Sequence, residues 1–186
     1  MMREITRQMK TVFQGRLLRV DAVEVELENG RRAGREIVRH PGAAVILAQL
    51  PDDRFVLVRQ YRKAVEQELL EVVAGTLHPG ENPDDCARRE LKEETGFDAV
   101  MWIKLGEVYP APGYTDERLH IYYARLDGRA GALNQDEDEK LEPVFLTALQ
   151  LDGLISRGEI HDAKTLAAWM LYHRRMAGKE PSKAGS

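Results

Sequence analysis

The sequence predicts an α/β domain, in which a mixed β-sheet is covered by helices on both sides. Short apolar or alternating segments, typical of strands, recur through most of the chain, whereas only three segments have helical spacing. One continuous apolar run, residues 43–50, suits a strand that is buried on both faces of a sheet. At 186 residues, the chain is long enough for one domain with a full core.

The first part of the chain, residues 1–40, is predicted to form strands that precede this domain. Residues 11–28 alternate well enough between apolar and polar side chains for two strands. The dipeptide Asn29-Gly30 is a strong hairpin turn signal, and a further strand follows at residues 35–39. We therefore expect an N-terminal β-hairpin region.

The main domain is expected over residues 41–177, because His40-Pro41-Gly42 interrupts the preceding strand. Further strands are predicted at residues 55–62, 69–74, 101–109, 117–126 and 143–146. Helices are predicted at residues 82–95, 147–157 and 162–176. Asn82 or Asp84 can cap the first of these helices. Residues 178–186 are polar and small, and we expect them to form a disordered tail.

Three glutamates lie close together on the helix predicted at residues 82–95. Glu93 and Glu94 follow Glu90 by three and four residues, which places the three carboxylates on one face. Such like charges repel one another, so a neighbouring cation is expected to offset the repulsion. Arg89, four residues before Glu93, is one candidate, and a divalent cation such as magnesium is the other. A solvated acidic face without chemistry is the plain alternative.

The stretch at residues 75–97 is similar to the Nudix box at every position that this motif defines. The matching residues are Gly75, Glu81, Arg89, Glu90, Leu91, Glu93, Glu94, Gly96 and Phe97. The chain is therefore identified as a member of the Nudix hydrolase family, which cleaves nucleoside diphosphates linked to another moiety by using a divalent metal. The resemblance implies the α/β/α sandwich of the Nudix fold, which agrees with the predicted mixed sheet.

Matches outside the box are similar to the ADP-ribose pyrophosphatase branch of the family. They lie at residues 36–42, 58–62, 71–75 and 112–113, and in the acidic run that precedes Pro143. Members of the branch that prefer GDP-mannose share nearly all of these features. The segment at residues 158–165 looks like theirs too, so the choice of nucleotide sugar stays open.

The resemblance implies a set of oxygen ligands for magnesium, with manganese as the alternative ion. Glu90 and Glu94 are expected to hold the metal, and Glu93 is expected to assist. The carbonyl oxygen of Ala74 is a suitable hard ligand beside the box glycine, and Glu81 is expected to orient or share a metal.

The proton acceptor is expected in the acidic run at residues 136–139, because a metal-bound carboxylate is a poor base. By resemblance, Glu137 is the first choice for this base and Glu139 the second, and Glu93 is the next candidate. Arg89 is expected mainly to hold Glu93 and the loop between Gly75 and the acidic helix in place.

Arg62 is the main candidate for binding the diphosphate, because a guanidinium group can bind phosphate oxygens in pairs. A surface salt bridge is the plain alternative. Arg35 and Arg39 are candidates for contact with a phosphate or a neighbouring subunit. The resemblance adds the substrate-side candidates Glu71, Pro112 and Gly113. The aromatic side chains that could stack on a base are Tyr61, Trp102, Tyr109 and Tyr114.

By resemblance, the expected reaction is metal-dependent hydrolysis of the pyrophosphate bond of ADP-ribose to AMP and ribose 5-phosphate. A GDP-mannose or other nucleotide-sugar pyrophosphatase is the nearer alternative. A catalytically silent nucleotide-binding module is the alternative from another class, and the intact set of carboxylates argues against it.

Composition narrows the expected partners and location. The net charge of −4 implies no general affinity for nucleic acid or for an anionic membrane. The single cysteine, Cys86, excludes an internal disulfide and favours a reducing compartment. Residues 1–10 lack the apolar segment of a signal peptide, so we expect a cytoplasmic protein. We also expect a homodimer, in which the strands of residues 11–39 contribute to the partner's site.

Overall fold

The computed structural model describes residues 3–131 and 141–177, which form two compact units. The N-terminal unit comprises residues 3–42 and 109–118, and the main unit comprises the other described residues. The strands are β1 Ile5–Gln14, β2 Arg19–Glu26, β3 Arg32–Arg39, β4 Ala43–Gln49, β5 Phe55–Arg62, β6 Gln67–Thr76, β7 Ala99–Val108, β8 Leu119–Leu126 and β9 Leu141–Leu146. The helices are α1 Pro83–Thr95, α2 Ala148–Ser156 and α3 Ala163–Ala177.

The N-terminal unit is built on an antiparallel sheet in the order β1-β2-β3. The predicted hairpin turn is confirmed between β2 and β3, where Gly30 has a φ of 76° and donates from its amide to the Leu27 carbonyl at 2.9 Å. The first strand begins at Ile5, earlier than the sequence predicts. All ten residues of β1 are exposed, so no alternation of buried and exposed side chains marks where this strand begins.

The segment Tyr109–Arg118 belongs to the N-terminal unit, although the sequence places it in the main domain. It pairs with β3, because the Val38 amide donates to the Tyr114 carbonyl at 2.8 Å and the Asp116 amide donates to the Val38 carbonyl at 3.2 Å. This association is long-range in sequence, and neither partner carries a pattern that predicts it.

The main unit contains a six-stranded sheet in the order β7-β8-β4-β6-β5-β9. The predicted mixed sheet is confirmed: β4 pairs in parallel with β8, whereas the other paired strands run antiparallel. All seven residues of β4 are buried, as expected for a strand that is covered on both faces.

The side chains of β4 alternate between two apolar cores. On one face, Ile46 shares a buried cluster with Leu91 of α1. On the other face, Leu47 shares a buried cluster with Leu151 of α2 and Trp169 of α3. Helices therefore cover both faces of the sheet, as the α/β/α expectation requires.

The acidic helix begins and ends where the sequence indicates. Asn82 is the N-cap, and its side-chain oxygen accepts a hydrogen bond from the Asp84 amide at 2.9 Å, while Pro83 occupies the first turn. Gly96 has a φ of 71° and ends the helix in the left-handed conformation. Among the described residues, the structure contains no helix that is long and apolar enough to cross a membrane.

Candidate active site

The end of β6 brings the glycine of the predicted motif against helix α1. A Cβ atom added at Gly75 would lie only 1.7 Å from Cδ of Glu90. A side chain at this position would therefore displace the glutamate, and glycine lets the Glu90 carboxylate lie against the strand backbone. Ala74, whose carbonyl oxygen is an expected metal ligand, directly precedes Gly75.

Arg89 binds three carboxylates of the motif. Its Nε and Nη2 atoms donate to both oxygens of Glu81, at 2.9 and 3.0 Å. Its Nη1 atom donates to Glu90 at 2.6 Å and to Glu93 at 3.0 Å, and Nη2 also reaches the Thr76 carbonyl at 3.3 Å. Arg89 is thus one of the two counter-ions that the sequence suggests. Its hydrogen bonds to Glu81 connect the loop before α1 to the helix itself.

These contacts keep the loop carboxylate ionised. The hydrogen bonds from Arg89 lower the pKa of Glu81 to about 2, and Glu81 also accepts the His78 amide at 2.8 Å. The same carboxylates raise the pKa of Arg89 above its ordinary value. Burial and the nearby glutamates raise the pKa of Cys86 to about 12, so this thiol stays protonated and packs as a small apolar side chain.

The oxygen donors around Gly75 fit a hard divalent cation in type. The exposed fraction of the side chain is 13% for Glu90 and 37% for Glu93, and Glu94 is buried at 7%. Carboxylate and carbonyl oxygens suit magnesium or manganese better than a soft ion. Within residues 3–131 and 141–177, no three carboxylate, histidine or cysteine groups already lie together as a metal-binding cluster. The feature that favours a divalent cation here is the position of the Glu90 carboxylate, which lies directly against the backbone of Gly75.

A second charged group lies on β5, β6 and the beginning of α3. Arg62 donates from Nε and Nη2 to the two oxygens of Glu71, at 2.8 and 2.7 Å. Lys164 also donates to Glu71, whose side chain is only 2% exposed. The sequence did not single out Lys164 as a site residue, although it lies in the segment that is similar to the GDP-mannose enzymes. Its spacing of 93 residues from Glu71 gives no local signal.

The remaining substrate-side candidates lie in the N-terminal unit. Arg35, Arg39, Pro112 and Gly113 line one open groove of about 1250 Å³. Both arginines have carboxylate partners. Arg35 pairs with Glu4, and Arg39 pairs with Asp21 and Asp116.

Arg39 links β3 to the segment Tyr109–Arg118. Its Nε atom donates to Asp21 at 3.0 Å, and its Nη1 atom donates to Asp116 at 2.9 Å. The Asp21 side chain is completely buried, which makes this arginine part of the structure of the groove.

The aromatic candidates differ in their surroundings. The Trp102 ring packs edge-on against Tyr122 at 6.3 Å, and the Arg88 guanidinium lies 5.0 Å from the Trp102 ring centre. Tyr61, Tyr109 and Tyr114 are more than half exposed. Trp102 therefore belongs with the core on the α1 side of the sheet. Glu137 and Glu139, the candidate bases, lie outside the described residues.

Comparisons with known proteins show the family to which the chain belongs. A family model described as the NUDIX domain matches residues 38–169. The chain is 39% identical over 166 residues to the methanol dehydrogenase activator of Bacillus methanolicus, covering 89% of this chain and 90% of that one. It is 37% identical over 166 residues to an ADP-ribose pyrophosphatase of Bacillus subtilis, with the same coverage of both chains. A crystal structure of an ADP compounds hydrolase superposes with a TM-score of 0.82 at 28% identity, covering 95% of this chain and 96% of that one.

Proposed function

The chain belongs to the Nudix family, and we propose that it hydrolyses the pyrophosphate bond of ADP-ribose to give AMP and ribose 5-phosphate. The observation that carries this proposal is the Glu90 carboxylate, which lies against the Gly75 backbone and is held by Arg89. An intact and ordered set of carboxylates supports an enzyme over a silent binding module. The relative named ADP-ribose pyrophosphatase supports this substrate.

Glu90 and Glu94 are the proposed ligands of magnesium or manganese, with Glu93, Glu81 and the Ala74 carbonyl assisting. A bound divalent ion would neutralise the diphosphate and lower the pKa of an attacking water. Arg89 supports the arrangement by its hydrogen bonds to Glu81, Glu90 and Glu93. The test is to remove the metal with a chelator. We expect activity to be lost and to recover when magnesium or manganese is added.

The proposed proton acceptor remains Glu137, with Glu139 as the second candidate and Glu93 as the next. Glu137→Gln should lower turnover without weakening substrate affinity, because a base acts only in the chemical step. A ligand residue would instead raise the magnesium concentration that the enzyme needs. Normal turnover in both Glu137→Gln and Glu139→Gln would direct the search to Glu93.

Arg62 is the proposed partner of the diphosphate in the main unit. Its side chain is 38% exposed, and its contact with Glu71 fixes the plane of the guanidinium group. In the N-terminal unit, the groove residues Arg35, Arg39, Pro112 and Gly113 are proposed to contact a substrate or a neighbouring subunit. Trp102 is the least accessible of the stacking candidates, because it is partly buried and packs against the core on the α1 side of the sheet.

A homodimer is proposed from the exposed apolar residues of the N-terminal unit. These residues are between 47% and 57% exposed and comprise Ile5, Met9, Val12, Phe13 and Leu17. Apolar side chains concentrated on the exposed strand β1 and in the bend that follows it favour burial against a partner. Light scattering should detect a dimer at micromolar concentration, and a monomer with full activity would contradict this proposal.

The buried thiol of Cys86 is consistent with the reducing, cytoplasmic compartment that we propose.

The deciding experiment compares ADP-ribose with GDP-mannose as substrates in the presence of magnesium. We expect AMP and ribose 5-phosphate to accumulate, with kcat/KM higher for ADP-ribose. Faster release of GMP would assign the enzyme to the GDP-mannose alternative, and inactivity on both would contradict the proposed function.

Two glycine-to-alanine substitutions test whether activity depends on the position of Glu90. Gly75→Ala should lower kcat by about a hundredfold, because the added Cβ displaces Glu90 and a misplaced catalytic group costs about that much. Gly106→Ala is the control, since a Cβ at Gly106 would make only an ordinary van der Waals contact, with Leu171 at 3.5 Å. Equal activity of the two variants would contradict the importance of the Glu90 position.

A further inference from the structure

A buried carboxylate joins two basic residues that are far apart in the sequence. The side chain of Glu71 is 2% exposed and accepts hydrogen bonds from Arg62 and from Lys164. Ion pairs of this kind are sensitive to the loss of one partner, because the buried charge that remains is no longer compensated. The position of each basic residue therefore depends on the other through Glu71.

Lys164 is the fixed member of the pair. Its Nζ atom also donates to Asp162 at 3.0 Å. Asp162 in turn accepts the Thr165 amide at 3.0 Å and the Thr165 hydroxyl at 2.5 Å. The Thr165 hydroxyl oxygen accepts the Val72 amide of β6 at 2.9 Å, which connects the beginning of α3 to the strand that carries Glu71.

The two basic side chains differ in their access to solvent. The Lys164 side chain is 14% exposed, whereas that of Arg62 is 38% exposed. A ligand would therefore meet Arg62 more readily than Lys164. Formally, two cations balance the two carboxylates Glu71 and Asp162, so loss of Lys164 would leave a net negative charge beside Arg62.

We propose that Lys164 is a positioning residue, which neutralises and fixes Glu71 so that Arg62 is oriented and electrostatically available for a diphosphate. This proposal rests on the proposed function, because it assigns Arg62 to the diphosphate of the nucleotide sugar. Lys164 acts through Glu71 and Arg62 and does not itself touch the substrate.

The test is a double-mutant cycle with Lys164→Gln and Arg62→Gln, measured in the full-length enzyme with magnesium and ADP-ribose. Lys164→Gln should raise KM about tenfold, the size expected for losing a charged hydrogen-bond partner, and leave kcat nearly unchanged. In the Arg62→Gln background, the same change should raise KM by less than about twofold, because its effect passes through Arg62. An equal rise in both backgrounds would overturn the proposal and indicate that Lys164 acts on the substrate directly.

Two further variants separate positioning from folding and from overall charge. Lys164→Arg keeps the positive charge beside Glu71, although its guanidinium group is larger than an ammonium group, and should raise KM less than Lys164→Gln does. Lys63→Gln removes the same charge beside Arg62 in sequence, but Lys63 pairs with Glu66 on the surface, with both side chains more than two-thirds exposed. We expect Lys63→Gln to leave KM unchanged, and a rise equal to that of Lys164→Gln would overturn the proposal.

Binding of magnesium pyrophosphate, measured by calorimetry across the same cycle, distinguishes failure of this inference from failure of the proposed function. If the wild type hydrolyses no nucleotide sugar, the proposed function fails, and coupled losses of pyrophosphate affinity in the two variants still support the positioning role. If the wild type hydrolyses ADP-ribose and the losses are independent, only the positioning role is overturned.

Discussion

Asp21 in the N-terminal unit and Glu71 in the main unit are both buried carboxylates that bind two basic side chains, but their partners differ in origin. Asp21 accepts hydrogen bonds from Arg19 on its own strand and Arg39 on the neighbouring strand. The partners of Glu71 come from β5 and from the beginning of α3. One carboxylate thus ties strands of a single sheet together, and the other connects a sheet to a helix.

The surroundings of the two carboxylates differ as well. In the main unit, β4 is buried on both faces between two apolar cores. In the N-terminal unit, β1 is exposed along its whole length, and the buried apolar side chains include Val23 and Val25 of β2. Apolar packing therefore dominates the order of the main unit, whereas polar contacts carry a larger share of the order in the N-terminal unit.

The largest expected effect separates carboxylates used in chemistry from those used in structure. Glu90→Gln should lower turnover by at least about a hundredfold, because metal binding and water activation act as a unit. Its circular dichroism spectrum should match the wild type. Asp21→Asn is the comparison, and we expect it to affect stability more than Glu90→Gln does. Turnover of Glu90→Gln close to the wild type at saturating magnesium would refute the metal-ligand assignment.

A core substitution tests the difference in packing. Ile46→Ala should lower the free energy of unfolding by about 2–5 kcal/mol, because Ile46 is completely buried and its removal leaves a cavity. Leu149→Ala on α2 is the control, since Leu149 is 82% exposed and should change this free energy by less than about 0.5 kcal/mol. Urea titration measures both. A cost for Leu149→Ala that equals the cost for Ile46→Ala would show that burial does not determine the cost of these substitutions.

Acid should weaken both buried carboxylate groups. The hydrogen bond from Arg39 lowers the pKa of Asp21; burial alone would raise the pKa of Glu71, but Arg62 and Lys164 lower it overall. A carboxylate with a lowered pKa stabilises the fold above its ordinary pKa, which is 3.8 for Asp21 and 4.5 for Glu71. This stabilisation is lost as the pH falls below those values, towards the lower pKa of the folded state.

Amide hydrogen exchange measured from about pH 6 to about pH 2, which begins above the ordinary pKa values of both carboxylates and continues below them, can locate the two effects. Asp21→Asn should reduce the acid dependence of exchange in β2 and β3, and Glu71→Gln should reduce it in β6 and at the beginning of α3. Unchanged acid dependence in either variant would show that the corresponding carboxylate does not couple stability to pH.

The sequence predicts the main unit well because its patterns are local. The buried strand at Ala43–Gln49, the cap at Asn82 and the glycine that ends α1 each follow from a few neighbouring residues. The shared face of Glu90, Glu93 and Glu94 follows from helical spacing alone. These local features are enough to predict both the fold class and the central residues of the candidate site.

The features that the sequence does not predict are long-range or lack an apolar pattern. The early start of β1 is hidden because no face of that strand is buried. The pairing of Val38 with the segment Tyr109–Arg118, and the contact of Lys164 with Glu71, join residues more than 70 positions apart. Such polar contacts depend on where the completed fold places each backbone segment.

The smallest expected effect concerns an ion pair on the surface of the N-terminal unit. Arg32 donates to Glu24 at 2.5 Å, but the two side chains are 62% and 40% exposed. Solvent screens an exposed pair, and ordering two long side chains costs entropy, so Arg32→Gln should change the free energy of unfolding by only about 0–1 kcal/mol. Arg39→Gln on the same strand should cost more, because it leaves the buried carboxylate of Asp21 with one basic partner fewer. Thermal unfolding of the two variants at low and high salt measures this contrast. A loss in Arg32→Gln as large as in Arg39→Gln would show that burial of the carboxylate does not determine the strength of these contacts.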